Sequence, residues 1–372
     1  MATFVENQEV TMKTANHPGF DGHEAVIWVD DEASGLGAVI AIHSTALGPA
    51  IGGCRLSRYP SRDAALTDAL RLSQGMSYKN ALAGLPAGGG KAVIYRTDPQ
   101  MDRSQTFEAF GRAVDGLAGR YVTAEDVGTG VADMLAVARS TAHVAGLPDR
   151  AGLAGGDPSP WTALGVFGAI EAAMGRSVRG ARIAVQGLGS VGSNLCRLLH
   201  VAGASLVVAD VDQSRTDAAE AMFNAKVVPV DDIHKVEADL FSPNALGAVL
   251  NEQTIPELGS PVICGGANNQ LATPADGERL FQRRILYTPD YVANAGGIIN
   301  VVAEYFGEPA SAVKSRVMEI GPRVAEILAR AAGERRPSNE FADALARRLI
   351  CRDGRDAEAQ DARSACGTAR LA

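Results

Sequence analysis

Residues 181–210, ARIAVQGLGSVGSNLCRLLHVAGASLVVAD, decide the fold. A short apolar run precedes Gly187, Gly189 and Gly192, and a helical pattern follows them before a second apolar run. In this strand–turn–helix–strand context, the G-x-G-x-x-G spacing is typical of a dinucleotide pyrophosphate held at a helix N-terminus. The segment therefore predicts a doubly wound sheet of the Rossmann type. The alternative is a purely structural turn in another doubly wound fold.

An acidic residue ends the second apolar run and bears on the choice of dinucleotide. Asp210 lies 18 positions after Gly192 (210 minus 192), about where a carboxylate meets the adenosine ribose in such folds. A carboxylate there accepts a hydrogen bond from the 2′-hydroxyl of NAD and repels the 2′-phosphate of NADP. The sequence therefore favours NAD, with Asp212 as a second candidate for the ribose contact.

The rest of the chain also alternates strand and helix patterns, which predicts an α/β protein with two domains. Glycine, proline and aspartate concentrate in 145–160, the best candidate for a linker. We expect an N-terminal α/β substrate and oligomerisation domain over 1–148 and a Rossmann NAD-binding domain over 149–320, with a cleft between them. Helices over 321–350 are predicted to pack back on the first domain, and 351–372 to form a disordered tail.

Composition excludes several classes of protein. The chain has 372 residues, a net charge of −8 and a pI near 5.4, which argues against general binding to nucleic acid or anionic membranes. It contains no apolar stretch long enough to span a bilayer. Its five cysteines are dispersed and form no C-x-x-C pair, which predicts reduced thiols, no metal site and a cytoplasmic location.

Two lysines stand in the otherwise small and apolar segment MSYKNALAGLPAGGGKAVI, residues 76–94. Lys79 and Lys91 are too far apart to be neighbours on one helix, so they meet only if the chain turns back through AGLPAGGG. The three glycines would let backbone approach a small ligand closely. Because two ammonium groups repel and burial disfavours charge, we expect one lysine to serve as a neutral general base and the other to hold a carboxylate.

A carboxylic acid partner is expected from the segment TAEDVGTG, which follows an apolar strand pattern. Catalytic loops of α/β folds commonly lie at such strand ends, and Asp126 or Glu125 would serve. Solvated lysines and a helix-capping aspartate are the competing interpretation. Spacing alone does not decide between the two.

Six motifs in order resemble one enzyme family over about residues 24–345. They are AIHSTALGPAIGGCR, GMSYKNALAGLPAGGGKAV, YVTAEDVG, VQGLGSVG, GGANNQL and LYTPDYVANAGGIINV. Together they resemble the amino acid dehydrogenases of the Glu/Leu/Phe/Val superfamily, with the leucine and valine dehydrogenases closest. The resemblance implies reversible, NAD-dependent oxidative deamination of an L-amino acid to a 2-oxo acid and ammonia by a homo-oligomer.

The resemblance also assigns roles to individual residues. It implies that Lys79 holds the substrate carboxylate, that Lys91 activates the attacking water and that Asp126 exchanges protons with the amino group. Further positions follow from the same match: Gly52 and Gly53 beside the substrate backbone, Asn268 and Asn294 near nicotinamide and substrate, and Thr162 at the cofactor. Two positions depart from the pattern of many relatives, Asn244 in place of cysteine and Trp161 in place of a small residue.

The resemblance further implies an apolar substrate pocket. Ile51 stands where glutamate dehydrogenases of the superfamily carry a lysine, so a substrate side-chain carboxylate would be left uncompensated. Ala124, Ile298 and Val301 complete an apolar wall whose branched residues favour leucine, valine or isoleucine. One methylene of pocket volume discriminates by only about 1–3 kcal/mol, so phenylalanine or tryptophan is the alternative substrate.

Two other classes of protein are weighed against this interpretation. A dinucleotide-binding regulator could keep the fold and lack the chemistry, although all three of Lys79, Lys91 and Asp126 are present. A hydroxy-acid dehydrogenase would use a histidine as acid/base. None of the six histidines falls within the candidate catalytic segments.

Overall fold

The structure is a computed structural model that describes residues 3–5, 14–96, 102–148, 150–245 and 247–351. It divides the chain into two compact units. The first comprises the described parts of 1–156, 301–308 and 345–372, and the second comprises those of 157–300 and 309–344. The predicted disordered tail lies outside the described residues except for its first residue, Cys351.

The first unit is built on a mixed sheet. Among the described residues it contains six strands in the order β1-β2-β3-β5-β4-β6. The strand pairs on the β1 side are antiparallel, whereas β4 runs parallel to both β5 and β6. The strands are β1 (Thr3–Val5), β2 (Ala25–Asp31), β3 (Leu36–Ser44), β4 (Ala50–Leu56), β5 (Gly88–Arg96) and β6 (Tyr121–Glu125).

Helices cover both faces of this sheet. Helix α1 (Arg62–Leu82) is capped by Ser61, whose side chain accepts from the amide of Ala64. Its apolar residues pack with Val39, Ala41 and Val93. The opposite face packs against α2 (Arg103–Asp115) and α3 (Val131–Val137).

The second unit is the predicted doubly wound domain. Its described strands form one wholly parallel sheet in the order β12-β11-β10-β7-β8-β9, the order typical of Rossmann domains. The strand order reverses between β7 and β10, which is where such sheets bind ligands. The strands are β7 (Arg182–Gln186), β8 (Ser205–Ala209), β9 (Lys226–Val227), β10 (Leu240–Pro243), β11 (Val262–Ile263) and β12 (Leu286–Tyr287).

The remaining helices follow in chain order. They are α4 (Ser159–Met174), α5 (Ser190–Val201), α6 (Gln213–Phe223), α7 (Ala275–Gln282), α8 (Asp290–Ala293), α9 (Gly296–Tyr305), α10 (Ala310–Met318), α11 (Ile320–Gly333) and α12 (338–351). In the part of the chain that the structure describes, no helix is both long and apolar enough to cross a bilayer.

The C-terminal helices depart from the sequence prediction. Residues 309–344 belong to the second unit, whereas we expected 321–350 to pack on the first domain. The reason is a close helix contact: Gly321 of α11 lies directly against Gly168 of α4, and a Cβ on Gly321 would be 3.0 Å from the Gly168 carbonyl oxygen. Only 345–351 join the first unit, where Arg347 pairs with Asp21 at 3.1 Å.

Candidate active site

Strand register brings three charged residues of the first unit together. Cys54 of β4 lies beside Ala92 of β5 on one side and Glu125 of β6 on the other. Alternate residues of a strand share a face, so Arg55 and Lys91 point to the α1 face of the sheet, where Asp126 follows β6. The sequence predicted the lysine and the aspartate, and parallel pairing makes them neighbours.

The three side chains form a nearly buried ion cluster. Lys91 Nζ lies 2.7 Å from Asp126 Oδ2, and Arg55 Nε donates to the same oxygen at 3.0 Å. Their side chains are 6%, 18% and 18% exposed for Lys91, Asp126 and Arg55 respectively. Charges this deep are found in pairs, because burial of a lone ion costs several kcal/mol.

The cluster sets the protonation of Asp126. Burial by itself would raise the pKa of this carboxyl, but the positive charges of Lys91 and Arg55 outweigh burial and hold the pKa below its usual value. In return, Asp126 and Asp68 raise the pKa of Arg55 despite its burial. Asp126 is therefore a carboxylate at neutral pH, able to accept a proton from an ammonium group.

Arg55 and Asp68 are absent from the site residues that the sequence predicts. Arg55 Nη1 donates to Asp68 Oδ2 at 2.9 Å, so the guanidinium joins two carboxylates that are 58 positions apart (126 minus 68). The available signal was position: Arg55 is the last residue of the motif AIHSTALGPAIGGCR. Nothing in the spacing of Asp68 along α1 marks it.

The glycines around the cluster have packing roles that the sequence did not reveal. A Cβ on Gly89 would lie 2.0 Å from the Ser77 amide nitrogen, and one on Gly88 would lie 1.9 Å from the Ser44 carbonyl oxygen. Gly52 and Gly53 are equally confined, with 1.8 Å to the Gly90 carbonyl oxygen and 2.6 Å to the Glu125 carbonyl oxygen. Glycine here lets neighbouring backbone segments approach, whether or not a ligand also does.

The second lysine lies on the element that precedes Lys91. Lys79 is in the last turn of α1 and is half-buried, and α1 packs against β5. The chain turns between them at Gly84, whose φ of 65° is in the left-handed region. Glu125, the alternative acid, is the last residue of β6. The contact with Lys91 at 2.7 Å is made by its neighbour Asp126.

The residues predicted to form the apolar substrate wall are placed as follows. Ile51 is fully buried in β4 and Ala124 is 3% exposed in β6. Ile298 and Val301 are half-buried and lie three positions apart on α9. Their contact with substrate is a prediction that rests on the resemblance.

The glycine-rich turn of the second unit has the expected local geometry. Gly187 has a φ of 89°, and a Cβ on Gly192 would lie 2.0 Å from the Gly187 carbonyl oxygen. Gly189 caps α5, whose first-turn amides point into the turn, and its own Cβ would meet only Arg215 Nη1, at 3.9 Å. The turn therefore leaves space where the second glycine of such motifs admits a pyrophosphate.

Asp210 is fixed by the backbone of the same turn. Its Oδ2 accepts from the Leu188 amide at 2.6 Å and its Oδ1 from the Asp212 amide at 2.9 Å. Arg215 lies beside both acids, 3.8 Å from Asp210 and 3.4 Å from Asp212. The carboxylate is thus oriented before any ligand arrives, while Asp212 caps α6 through the amide of Ser214.

A cavity of about 470 Å³ opens beside these groups. Gly187, Gly189, Asp210 and Arg215 line it, with Gln186 at the end of β7. The buried Gln186 Oε1 has no hydrogen-bond partner in the described residues. An open glycine turn at a helix N-terminus and an oriented carboxylate are the features of a dinucleotide site, and the buried, unpartnered Gln186 oxygen lies beside them, so these residues fit the predicted cofactor.

Asparagine side chains link several loops of the second unit. Asn294 Nδ2 donates to Asn268 Oδ1 at 2.7 Å and to the Gly266 carbonyl at 3.2 Å, and its own buried Oδ1 has no partner in the described residues. Asn244 lines the cavity and accepts from the Gly266 amide at 2.8 Å. Asn244, which stands in place of cysteine, therefore links two loops by a hydrogen bond.

Two further residues lie on the first turn of α4. Thr162 donates its hydroxyl to the Pro158 carbonyl at 3.2 Å and borders Gly297, and Trp161 is half-buried with its carbonyl against Gly296. Neither contact tests a role in cofactor binding. Within the described residues, no three histidine, cysteine, aspartate or glutamate side chains converge as a metal site would require.

Family models and known relatives match most of the chain. The model described as Glu/Leu/Phe/Val dehydrogenase, dimerisation domain, matches residues 23–143. The model described as glutamate/leucine/phenylalanine/valine dehydrogenase matches residues 208–320. The two matches span both units.

Three relatives illustrate the similarity. The leucine dehydrogenase of Geobacillus stearothermophilus is 46% identical over 334 residues, which cover 88% of this chain and 90% of the relative. The valine dehydrogenase of Streptomyces virginiae is 43% identical over 343 residues, covering 90% and 96%. The crystal structure of the L-tryptophan dehydrogenase of Nostoc punctiforme has a TM-score of 0.80 at 39% identity and covers 93% of this chain and 99% of that one.

Proposed function

The chain belongs to the Glu/Leu/Phe/Val dehydrogenase family, and from this premise we propose that it catalyses the NAD-dependent oxidative deamination of a branched-chain L-amino acid. The products are the 2-oxo acid, ammonia and NADH. The observation that carries the proposal is the buried contact of 2.7 Å between Lys91 and Asp126. Leucine and valine dehydrogenases among the relatives, together with Ile51 in place of a lysine, favour a branched apolar substrate.

In this proposal the first unit supplies the acid–base groups. Lys79 holds the substrate carboxylate by charge, with Gly52 and Gly53 beside the substrate backbone. Bound NAD would supply the acceptor for the hydride that leaves the substrate Cα. Lys91 first gives its ammonium proton to the Asp126 carboxylate, and the neutral amine then takes a proton from the water that attacks this carbon. Asp126 passes its proton on to the departing nitrogen. The 2.7 Å contact lets the two groups share a proton between these steps.

The second unit supplies the cofactor contacts. Gly187, Gly189 and Gly192 would hold the pyrophosphate, and Asp210 would accept from the ribose 2′-hydroxyl, which would select NAD over NADP. Asn268 and Asn294 contact nicotinamide and substrate, and Thr162 contacts the cofactor. We further propose a homo-oligomer, in keeping with the dimerisation-domain match, and a cytoplasmic location, in keeping with the free thiols of Cys54, Cys196, Cys264 and Cys351.

Steady-state NADH formation with leucine, valine, isoleucine, phenylalanine and tryptophan tests the proposal. We expect the highest kcat/KM with a branched-chain substrate. The Asp126→Asn variant serves as the inactive control. The similarity to a tryptophan dehydrogenase makes an aromatic substrate the second candidate, and the same series decides it. Tight NAD binding without turnover of any amino acid would instead identify a regulator.

A further inference from the structure

We propose that Arg55 is a positioning residue for this deamination: anchored by Asp68, it fixes the Asp126 carboxylate against Lys91. The inference rests on the proposed function, because it concerns the acid–base pair of that reaction. It starts from the planar guanidinium, which uses separate nitrogens for its two partners, Nε for Asp126 at 3.0 Å and Nη1 for Asp68 at 2.9 Å. A rigid fork of this kind sets the relative positions of both carboxylates.

The anchor on Asp68 is itself restrained. Tyr59 donates its hydroxyl to Asp68 Oδ2 at 2.6 Å, and Arg71 donates to Oδ1 at 2.9 Å. Asp68 is only 17% exposed and lies on α1, which packs on the sheet. Arg55 is therefore held in place by a residue of α1. Arg55 in turn fixes the position of the Asp126 carboxylate, which follows β6.

Asp126 has separate anchors for its backbone and its side chain. The Asp126 amide donates to Thr129 Oγ1 at 2.8 Å, and the Thr129 hydroxyl contacts the Cys54 carbonyl at 2.9 Å. These bonds hold the turn without Arg55. The carboxylate itself pairs with Lys91 and Arg55, so removal of Arg55 leaves the turn in place and frees the acid to rotate about its contact with Lys91.

Charge gives Arg55 a second effect on the same acid. Asp126 lies between two cations, and both lower its pKa. Two further groups interact electrostatically with Asp126, the Cys54 thiol and the Tyr121 hydroxyl; burial raises the pKa of both, so both are neutral. Arg103 pairs with Asp133 and donates to the Gly128 carbonyl of the same turn. The opposite charges of this pair cancel each other. Loss of Arg55 would therefore make Asp126 easier to protonate.

Variants of Arg55 separate positioning from bulk structure. For Arg55→Ala we expect kcat to fall by about 10- to 100-fold, the order expected for a misplaced catalytic group, with little change in KM for the amino acid. The acid limb of the pH profile of kcat should move to higher pH. For Arg55→Lys, which keeps the charge but not the fork, we expect the acid limb near that of the wild type and a smaller loss of kcat.

The matched control is Arg62→Ala. Arg62 also pairs with an aspartate at 3.0 Å in the first unit, but its side chain is 53% exposed, so kcat and its pH profile should not change. Folding of each variant is checked by circular dichroism and thermal melting. A folded Arg55→Ala variant with a wild-type pH profile overturns the inference. If Arg55→Ala does not fold, Arg55→Lys decides, because wild-type kcat in that variant shows that the fork is not needed. Inactivity of the wild type itself would count against the proposed function and not against this inference.

Discussion

The two units hold their central carboxylates in different ways. The Asp126 carboxylate pairs with the side chains of Lys91 on β5 and Arg55 on β4. Asp210 is gripped by the backbone amides of Leu188 and Asp212, all within one βαβ segment. The first arrangement carries full charges that can move protons, and the second presents an acceptor oriented by backbone amides, with Arg215 as its neighbouring charge.

This difference predicts where single substitutions act. A side-chain change in the ion cluster should alter chemistry while leaving the second unit untouched. A change in the glycine-rich turn should alter cofactor binding and leave the ion cluster intact. Variants of Lys91, of two turn glycines and of Asp210 test this division, and acid unfolding tests the stability of the first unit separately.

The largest effect is expected for Lys91→Ala. Loss of a general base typically costs 10²- to 10⁴-fold, so kcat should fall by about 10³-fold. The dissociation constant for NAD, measured by calorimetry, should stay nearly constant because the cofactor cavity is lined by the second unit. Lys235→Ala, which removes an exposed lysine, serves as the control. A parallel loss of NAD affinity in Lys91→Ala would refute the division of labour.

Acid should destabilise the first unit through two buried histidines. The rings of His23 and His43 meet edge to face at 4.8 Å. Burial, followed by the charge of His23, lowers the pKa of His43 to about 4. Below an unfolded-state pKa of about 6.5 the unfolded chain binds protons first, so the free energy of unfolding falls as pH drops from about 6.5 towards 4.

This loss amounts to about 2 kcal/mol by pH ~5, and urea unfolding at neutral and acid pH measures it. His43→Gln should flatten the pH dependence even if the variant is less stable overall. The exposed His200 provides the control, because His200→Gln should leave the dependence unchanged. An unaltered slope in His43→Gln would assign the effect to other groups.

Two glycines of one turn form a matched pair for the second unit. In Gly192→Ala the new Cβ would lie 2.0 Å from the Gly187 carbonyl oxygen, so we expect a loss of about 1–3 kcal/mol in unfolding free energy. In Gly189→Ala the Cβ would meet only Arg215 Nη1, at 3.9 Å, so stability should hold while NAD affinity falls, because the second glycine admits the pyrophosphate. Equal changes in stability and in NAD affinity in the two variants would show that the two glycines have the same role in the turn.

The smallest effect is expected for Asp210→Ala. Loss of one ribose hydrogen bond to a charged group should weaken NAD binding by about tenfold and improve NADP binding. Asp210→Asn is the companion variant, because it retains an acceptor for one of the two amides. Calorimetric titration with both dinucleotides gives the comparison. Unchanged affinities would place the ribose contact elsewhere, with Asp212 as the next candidate.

The sequence was most informative where the structure is local. The helix from Arg62 with its Ser61 cap, the glycine-rich turn and the placement of Asp210 after β8 follow from residues that are close along the chain. In such segments, side-chain periodicity and backbone requirements act over a few residues. The resemblance supplied the family, which the relatives confirm.

Tertiary structure decided the contacts between distant segments. The sequence contained Lys91 and Asp126 as candidates, but only the parallel register of β4 with β5 and β6 brings them to 2.7 Å and adds Arg55. The same holds for Asp68 behind Arg55, and for 309–344, which close glycine contacts hold on the second unit. Propensity and pattern specify each element by itself, whereas pairing between strands and helices depends on packing over the whole domain, which no single segment encodes.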